Sequence, residues 1–372
     1  MSDEYAIAPD LGPLQPLLED PRISEIFVDN PGHISVVRSG RLEDVDARFE
    51  DDQHLVRVIR AIAAPLGQRF DESRPLLDAR LFDGSRVSAV CSPIALNGST
   101  LAISKARKNT LSADDLVRLG AWNDPIVAFL RACVAGRLNI LVAGGTSSGK
   151  TTVLNLLCGM IPAEERIITV EEASELWLTQ PRVVRLEARP ANLAGRGAVT
   201  RRDLLVHALR MSPERLVVGE LRGDEAWPFV EAINTGHDGS MAAIHAGGPR
   251  DALARLEMLV TSADPSIPLL NVREQIASAL DLIVQIVRLA DGARRVTYVS
   301  EVQRLERETI AIQHLFTFVE APGDRPSQGR FAATGQTPSF LTTLKQRGVD
   351  LPLLSSDERR TLSDERRTTN SE

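Results

Sequence analysis

A chain of 372 residues is long enough for two domains, and 43% apolar with 25% charged residues is the composition of a folded globular protein, not a disordered one. Its formal charge of −7, from 43 basic and 50 acidic side chains, argues against a general polyanion binder, which would carry a basic excess or a long basic stripe. No stretch reaches the roughly 18 uninterrupted apolar residues of a membrane span, and the start Met1-Ser-Asp-Glu-Tyr5 lacks a secretory pattern, so a soluble cytoplasmic protein is expected.

In chain order, residues 1–10 read as a loose leader. Residues 11–107 mix short strand and helix signals, the pattern of a small α+β domain. Ser24–Val28 and His33–Val37 are apolar runs split by the turn residues Asn30-Pro31-Gly32. Leu55, Val58, Ile59 and Ile62 recur at the helical period within His54–Leu66. Arg86–Val90 and Thr100–Ile103 alternate like strands, and Asn97-Gly98 supplies a hairpin-type turn before the second. Residues 108–124 are polar and irregular, with a helix-like segment at Ser112–Leu116, and read as a linker.

From 125 to 320 strands alternate with helices, which predicts a parallel sheet covered by helices, an α/β domain. The strands are Asn139–Ala143, Arg166–Val170, Leu216–Gly219 and Met241–His245; the helices are Thr151–Met160, Arg202–Met211, Asp224–Asn234 and Arg250–Val260. Residues 321–352 read as an extension in which periodicity fades. The segment 353–372 repeats Ser-Asp-Glu-Arg-Arg-Thr at Ser356 and Ser363, almost without apolar side chains, and reads as a disordered tail. Cys91, Cys133 and Cys158 show no Cys-x-x-Cys spacing and read as buried thiols of a reducing compartment.

The strongest chemical signal is Gly144-Gly145-Thr146-Ser147-Ser148-Gly149-Lys150-Thr151, a full match to G-x-x-x-x-G-K-[ST] between a buried strand and a helix. Backbone N–H groups from Gly144 to Thr152 are placed to cradle phosphate oxygens at the helix N-terminus. Lys150 reaches the β- and γ-phosphates and the Thr151 hydroxyl binds Mg²⁺, so this is a nucleotide site. The strand Arg215–Gly219 ends in Glu220, which is positioned to orient the attacking water and help hold Mg²⁺. Glu171, Glu172 and Glu175 crowd another strand end, where a cation relieves their repulsion, Glu172 through water. His237 and His245 flank a further strand at a spacing that is not that of zinc ligands. His245, at the C-terminal end, can feel a γ-phosphate.

In order, Gly144–Thr151, Glu171–Glu175, Val218–Gly223 and Gly236–His245 resemble the Walker A, Asp, atypical Walker B and His boxes of the type II/type IV secretion ATPases. Within that superfamily Arg189-Pro190, Val199–Asp203, Ala208–Met211 and Arg273–Val284 are similar to the CpaF/TadA branch, which powers tight-adherence (Flp-type) pili. The match spans about Leu14 to Pro352.

The resemblance implies a RecA-like P-loop ATPase domain behind a smaller N-terminal α+β domain, with nucleotide between the two. It implies a homo-hexamer that hydrolyses ATP with Mg²⁺, peripheral at the inner face of the cytoplasmic membrane through inner-membrane pilus or secretion platform proteins. It also implies roles. Lys150 and Thr151 bind phosphate and Mg²⁺, Glu220 is the catalytic carboxylate, Glu171 and Glu175 are Asp-box acids and His245 is a sensor. Arg80 and Arg86 resemble N-domain arginines that approach the phosphates, and Arg202, Arg210 or Arg222 is similar to subunit-bridging arginines.

The chain departs from the pattern at Ser147, usually glycine, at Ser104 and Ala106 in Ile103-Ser-Lys-Ala106, at Glu172 and at Ser212. Two other readings remain open: a nucleotide-gated scaffold with little turnover, and a DNA-translocating RecA-type motor. The acidic balance and the lack of an aromatic-basic stripe count against the latter, so no stable nucleic-acid partner is expected.

Overall fold

The computed structural model describes residues 11–38, 41–81, 84–105, 111–191, 195–321 and 326–352. The leader 1–10, Ala106 and the tail 353–372 lie outside the described residues. The chain divides into two compact units, Met1–Asn109 with Ala191–Arg196, and Thr110–Pro190 with Gly197–Glu372. Among the described residues no helix is long and apolar enough to cross a membrane.

The first unit holds α1 (Gln15–Glu19), β1 (Ile23–Asn30), β2 (His33–Arg38), β3 (Arg41–Val45), α2 (Asp52–Ala63), β4 (Leu76–Arg80), β5 (Arg86–Val90) and β6 (Thr100–Ser104). Its strands form a six-stranded sheet in the order β3-β2-β1-β6-β5-β4, every pairing antiparallel. Helix α2 starts where the Asp51 carboxylate accepts from the His54 amide (2.7 Å), and Leu55, Ile59 and Ile62 face the core. The β1–β2 turn closes as Gly32 N–H donates to the Asn30 side chain (3.0 Å). Asn97-Gly98 is part of a longer connection, residues 91–99, whose Ser99 amide is held by Asp52 (2.6 Å). Strands β3 and β4, which the sequence reading did not anticipate, are the two edges, and their Leu42 and Leu76 are each 67% exposed. β3 exposes four of its five residues, whereas β4 alternates Leu77 and Ala79 into the core over a run too short to stand out in the sequence.

The second unit holds α3 (Ala113–Arg118), α4 (Asp124–Ala135), β7 (Ile140–Gly144), α5 (Lys150–Gly159), β8 (Ile167–Glu171), β9 (Val183–Glu187), α6 (Arg201–Ala208), β10 (Arg215–Leu221) and α7 (Ala226–Asn234). There follow β11 (Met241–His245), α8 (Pro249–Ala263), α9 (Leu269–Ala279), β12 (Leu282–Arg288), β13 (Arg294–Glu306), β14 (Thr309–Val319), β15 (Arg330–Ala333) and α10 (Leu341–Gln346). The nine-stranded sheet runs β15-β14-β13-β12-β7-β11-β10-β8-β9. All five residues of β7 are buried because the strand is covered on both faces. Ile140 and Val142 pack with Phe129 of α4 and Leu154 of α5, whereas Leu141 and Ala143 pack with Phe229 of α7 and Leu256 of α8.

The expected parallel sheet needs one correction. It is parallel from β9 to β12, and β12 to β15 continue it antiparallel. The β13–β14 hairpin turns at Arg307 (φ 47°) and Glu308 (φ 69°), a left-handed pair without the Asn-Gly or Asp-Gly signature that would announce it. Residues 111–124, read as linker, belong to the second unit. A capping box between Ser112 and Asp115 starts α3, and Leu116 and Trp122 are buried in the core. The 321–352 segment also joins this unit through β15 and through α10, whose Leu344 lies where a Cβ at Gly136 would stand. The three cysteines are free and buried.

Arg215, the first residue of β10, is completely buried, and all three of its guanidinium nitrogens are hydrogen-bonded. It donates to Glu165 from Nε (2.6 Å) and Nη2 (3.1 Å), and to the carbonyls of Val134 (2.9 Å) and Gly239 (3.3 Å). Gly239 has φ +82°, and a Cβ there would stand 2.0 Å from Arg215 Nη1. Arg215→Met leaves Glu165 with its outer partner Arg137 alone and is expected to lower stability by about 3 kcal/mol in urea unfolding; a loss under about 1 kcal/mol would contradict the structural role assigned to this pair.

Burial, partly opposed by the Asn139 amide, pushes the Asp281 carboxyl up to about 6. A raised folded-state value means that the folded chain binds the extra proton between the ordinary carboxylate range and about pH 6, so this group's contribution falls as pH rises through that window. Asp281→Asn is therefore expected to gain stability relative to wild type from about pH 4 to pH 6. Parallel pH profiles of the two unfolding midpoints would exclude this.

Candidate functional site

The site grows from the C-terminal ends of four parallel strands. Gly144 ends β7 and pairs in register with His245 of β11; Glu171 ends β8; Glu220 lies near the end of β10. Open parallel sheets bind ligands at this edge. The loop between β7 and α5 is shaped by its small residues. A Cβ at Gly144 would stand 2.5 Å from both Ile286 O and Ser148 Oγ, and Gly149 has φ +107°. Ser147, where the sequence pattern favours glycine, also adopts a left-handed φ of 56°. Gly145 O is the internal acceptor, taking hydrogen bonds from Ser148 Oγ (2.9 Å) and Lys150 Nζ (2.9 Å).

Lys150 is buried and desolvation lowers its pKa, against the opposing pull of Glu220 and Glu175. A buried ammonium resting on one backbone carbonyl has much of its charge uncompensated, which suits a phosphate-binding cation. Thr151, half-buried in the first turn of α5, donates from its hydroxyl to Glu175 Oε2 (3.3 Å). A hydroxyl and carboxylate together at the end of a phosphate loop are hard oxygen donors, and this set fits Mg²⁺.

The three acids of the Asp box separate into three tasks. Glu171 is buried, and its Oε2 accepts from the amides of Glu175 (2.7 Å) and Leu176 (2.8 Å), folding the loop that presents Glu175. Desolvation pushes its carboxyl up despite these bonds. Gly219 makes room, since a Cβ there would be 3.0 Å from Glu171 Cγ. Glu172, expected near the metal, pairs instead with Arg201 Nε (3.1 Å), which makes Glu175 the acid beside Thr151.

Glu220 keeps a fifth of its side chain exposed and accepts from Arg222 Nη2 (2.8 Å). Its backbone is fixed by residues that the sequence reading did not single out. Arg201 donates from Nη1 to Glu220 O (3.1 Å), and the same nitrogen lies 3.4 Å from Glu225 Oε1. Glu225 is almost wholly buried and accepts from the amides of Arg222 (2.6 Å) and Gly223 (3.1 Å). The available signal was Thr200-x-x-Asp203, a capping box that sets Arg201 at the first position of α6.

His245 is exposed at the strand end beside Gly144. His237 is a structural residue whose ring contacts Ala232 O (3.2 Å). Of the other arginines, Arg202 donates to Asp224 O (3.1 Å). In the first unit Arg80 and Arg86 are backbone partners in the β4–β5 pairing, and Arg86 is exposed.

The family model described as type II/IV secretion system protein matches residues 8–322. A Mycobacterium tuberculosis protein provisionally named for conjugal transfer is 34% identical over 307 residues, covering 81% of this chain and 87% of that one. The type IV secretion system protein VirB11 of Brucella suis is 31% identical over 337 residues, covering 82% and 92%. The fold is similar to that of the Legionella pneumophila ATPase DotB, with a TM-score of 0.57 at 18% identity over 83% of this chain and 84% of that one. With the family model spanning most of the chain and the phosphate loop, acidic strand ends and strand-end histidine in place, the chain belongs to the type II/IV secretion system protein family, a family of secretion ATPases.

Proposed function

We propose that the chain is a Mg²⁺-dependent ATP hydrolase that works as a homo-hexameric motor, driving tight-adherence (Flp-type) pilus assembly or type II/IV secretion from the cytoplasmic face of an inner-membrane platform. The observation that carries the hydrolase reading is the gathering of Lys150, the Thr151–Glu175 pair, the Glu220–Arg222 pair and His245 at one edge of the parallel sheet. The hexamer, the platform partners, the peripheral location and the pilus branch rest on the resemblance of Arg189-Pro190, Val199–Asp203, Ala208–Met211 and Arg273–Val284 to the CpaF/TadA sequences.

In this reading the loop amides and Lys150 hold the phosphates of ATP, with Lys150 leaving Gly145 O to do so. Mg²⁺, when bound, would be held by the Thr151 hydroxyl with Glu175, and by Glu220 through water, and supplies neutralisation of phosphate charge. The Glu220 carboxylate orients the attacking water and accepts its proton, while Arg222 sets the carboxylate's direction. His245, whose strand position pairs with Gly144, is in this reading the residue that responds to the phosphate loop. Arg80, Arg86 and the arginines Arg202 and Arg210 enter the proposal as further nucleotide or subunit contacts.

Glu220→Gln keeps the size and the hydrogen bond to Arg222 but removes the proton acceptor. It is expected to lower turnover by about a hundredfold while ATP stays bound; unchanged steady-state turnover would remove Glu220 from the catalytic role. Turnover per chain is expected to rise with protein concentration if the working form is an oligomer. A rate per chain independent of concentration, with monomers in sedimentation, would overturn the hexameric part.

A further inference from the structure

We propose that Arg294 is a positioning residue for the phosphate loop, holding Ser147 in the left-handed backbone conformation that glycine would adopt unaided. The proposal rests on the reading of this loop as a nucleotide site. Ser147 has φ 56°, a region that L side chains enter against steric resistance. Alternating right- and left-handed backbone is also what aims successive N–H groups at an anion, so relaxation of Ser147 would spoil the nest. Something must therefore hold this residue.

The hydrogen bonds divide accordingly. Inside the loop, Gly145 O is taken by Ser148 and Lys150. Ser147 O is met from outside the loop, by Arg294 Nε at 3.1 Å. Arg294 is the first residue of β13, and Ile286 of the neighbouring β12 is paired with Gly144 at the loop's entrance. A Cβ at Gly149 would stand 3.3 Å from both Arg294 Cδ and Ile286 Cδ1, so the arginine stem packs on the loop's exit as its Nε fixes the crest. Contacts at two points of the loop make Arg294 a clamp, and they tie the nucleotide site to the antiparallel part of the sheet.

The test is a pair of backgrounds. ATP affinity with Mg²⁺ is measured calorimetrically on the full chain for wild type, Arg294→Met, Ser147→Gly and the double variant. Methionine keeps an apolar stem over Gly149 and deletes the donor. Arg294→Met is expected to weaken ATP binding about tenfold, roughly 1.4 kcal/mol, and in the Ser147→Gly background the same change is expected to weaken it by less than about twofold. An equal loss in both backgrounds would mean that Arg294 acts on the nucleotide directly or only on folding, and would overturn the proposal, as would no loss in the first. Should Arg294→Met fail to fold, Arg294→Leu, which also lacks a donor, carries the same comparison. Wild-type protein that binds no ATP would overturn the nucleotide reading itself, an outcome visible before any variant is compared.

Discussion

Everything at the site depends on the register of four buried parallel strands. Gly144 stands opposite His245, Val218 opposite Val170 and Val218 opposite Ala242, so phosphate loop, Asp box, Glu220 and strand-end histidine arrive at one edge. A slip of one residue in any pairing would turn buried side chains to the wrong face and carry a candidate site residue away from the others. The register is held by the two apolar layers on either face and, at the opposite end of the sheet, by polar anchors. Arg215 is clamped by Glu165 and two carbonyls, and Asn139 donates to Ala279 O (2.7 Å) while accepting from the amides of Gly239 and Ser240. These groups touch no candidate ligand residue, yet they fix where the strands end.

On that frame the site divides labour between groups that build and groups that act. Glu171, Glu225 and Arg201 spend their charge on backbone amides, carbonyls and one another, where charge-assisted hydrogen bonds in a partly dry environment are strongest. Their effect is to present Glu175 and Glu220. Among the described residues Lys150 Nζ donates to one carbonyl, and the carboxylates of Glu175 and Glu220 each accept one side-chain hydrogen bond. Groups with spare bonding capacity at the edge of a rigid sheet are those a charged ligand can recruit.

Much of this was legible in the sequence. The continuous apolar run at 139–143 announces a strand buried on both faces, and the glycine and lysine spacing beside it has a single good physical use. The period of Leu55, Ile59 and Ile62 likewise gives α2. What escaped had physical reasons. Edge strand β3 exposes nearly all of its residues, β4 sends only Leu77 and Ala79 into the core over a short run, and the β13–β14 turn uses Arg307 and Glu308 in place of glycine. The separate tasks of Glu171, Glu172 and Glu175 could not be read from a run of acids, because burial and partner, not residue type, decide them. Arg201 and Arg294 look like any of many arginines until their carbonyl partners are known. The polar stretch 111–124 resembled a linker because its core contribution rests on few side chains, chiefly Leu116 and Trp122.

The central claim is that these strand ends make one Mg²⁺-dependent ATP-hydrolysing site. The most direct measurement is phosphate release from ATP by the purified full chain, with and without Mg²⁺, beside Lys150→Ala. The account predicts release that requires Mg²⁺ and falls by at least about a hundredfold in the variant. Equal release by both proteins, or tight ATP binding with no release at any protein concentration, would contradict it.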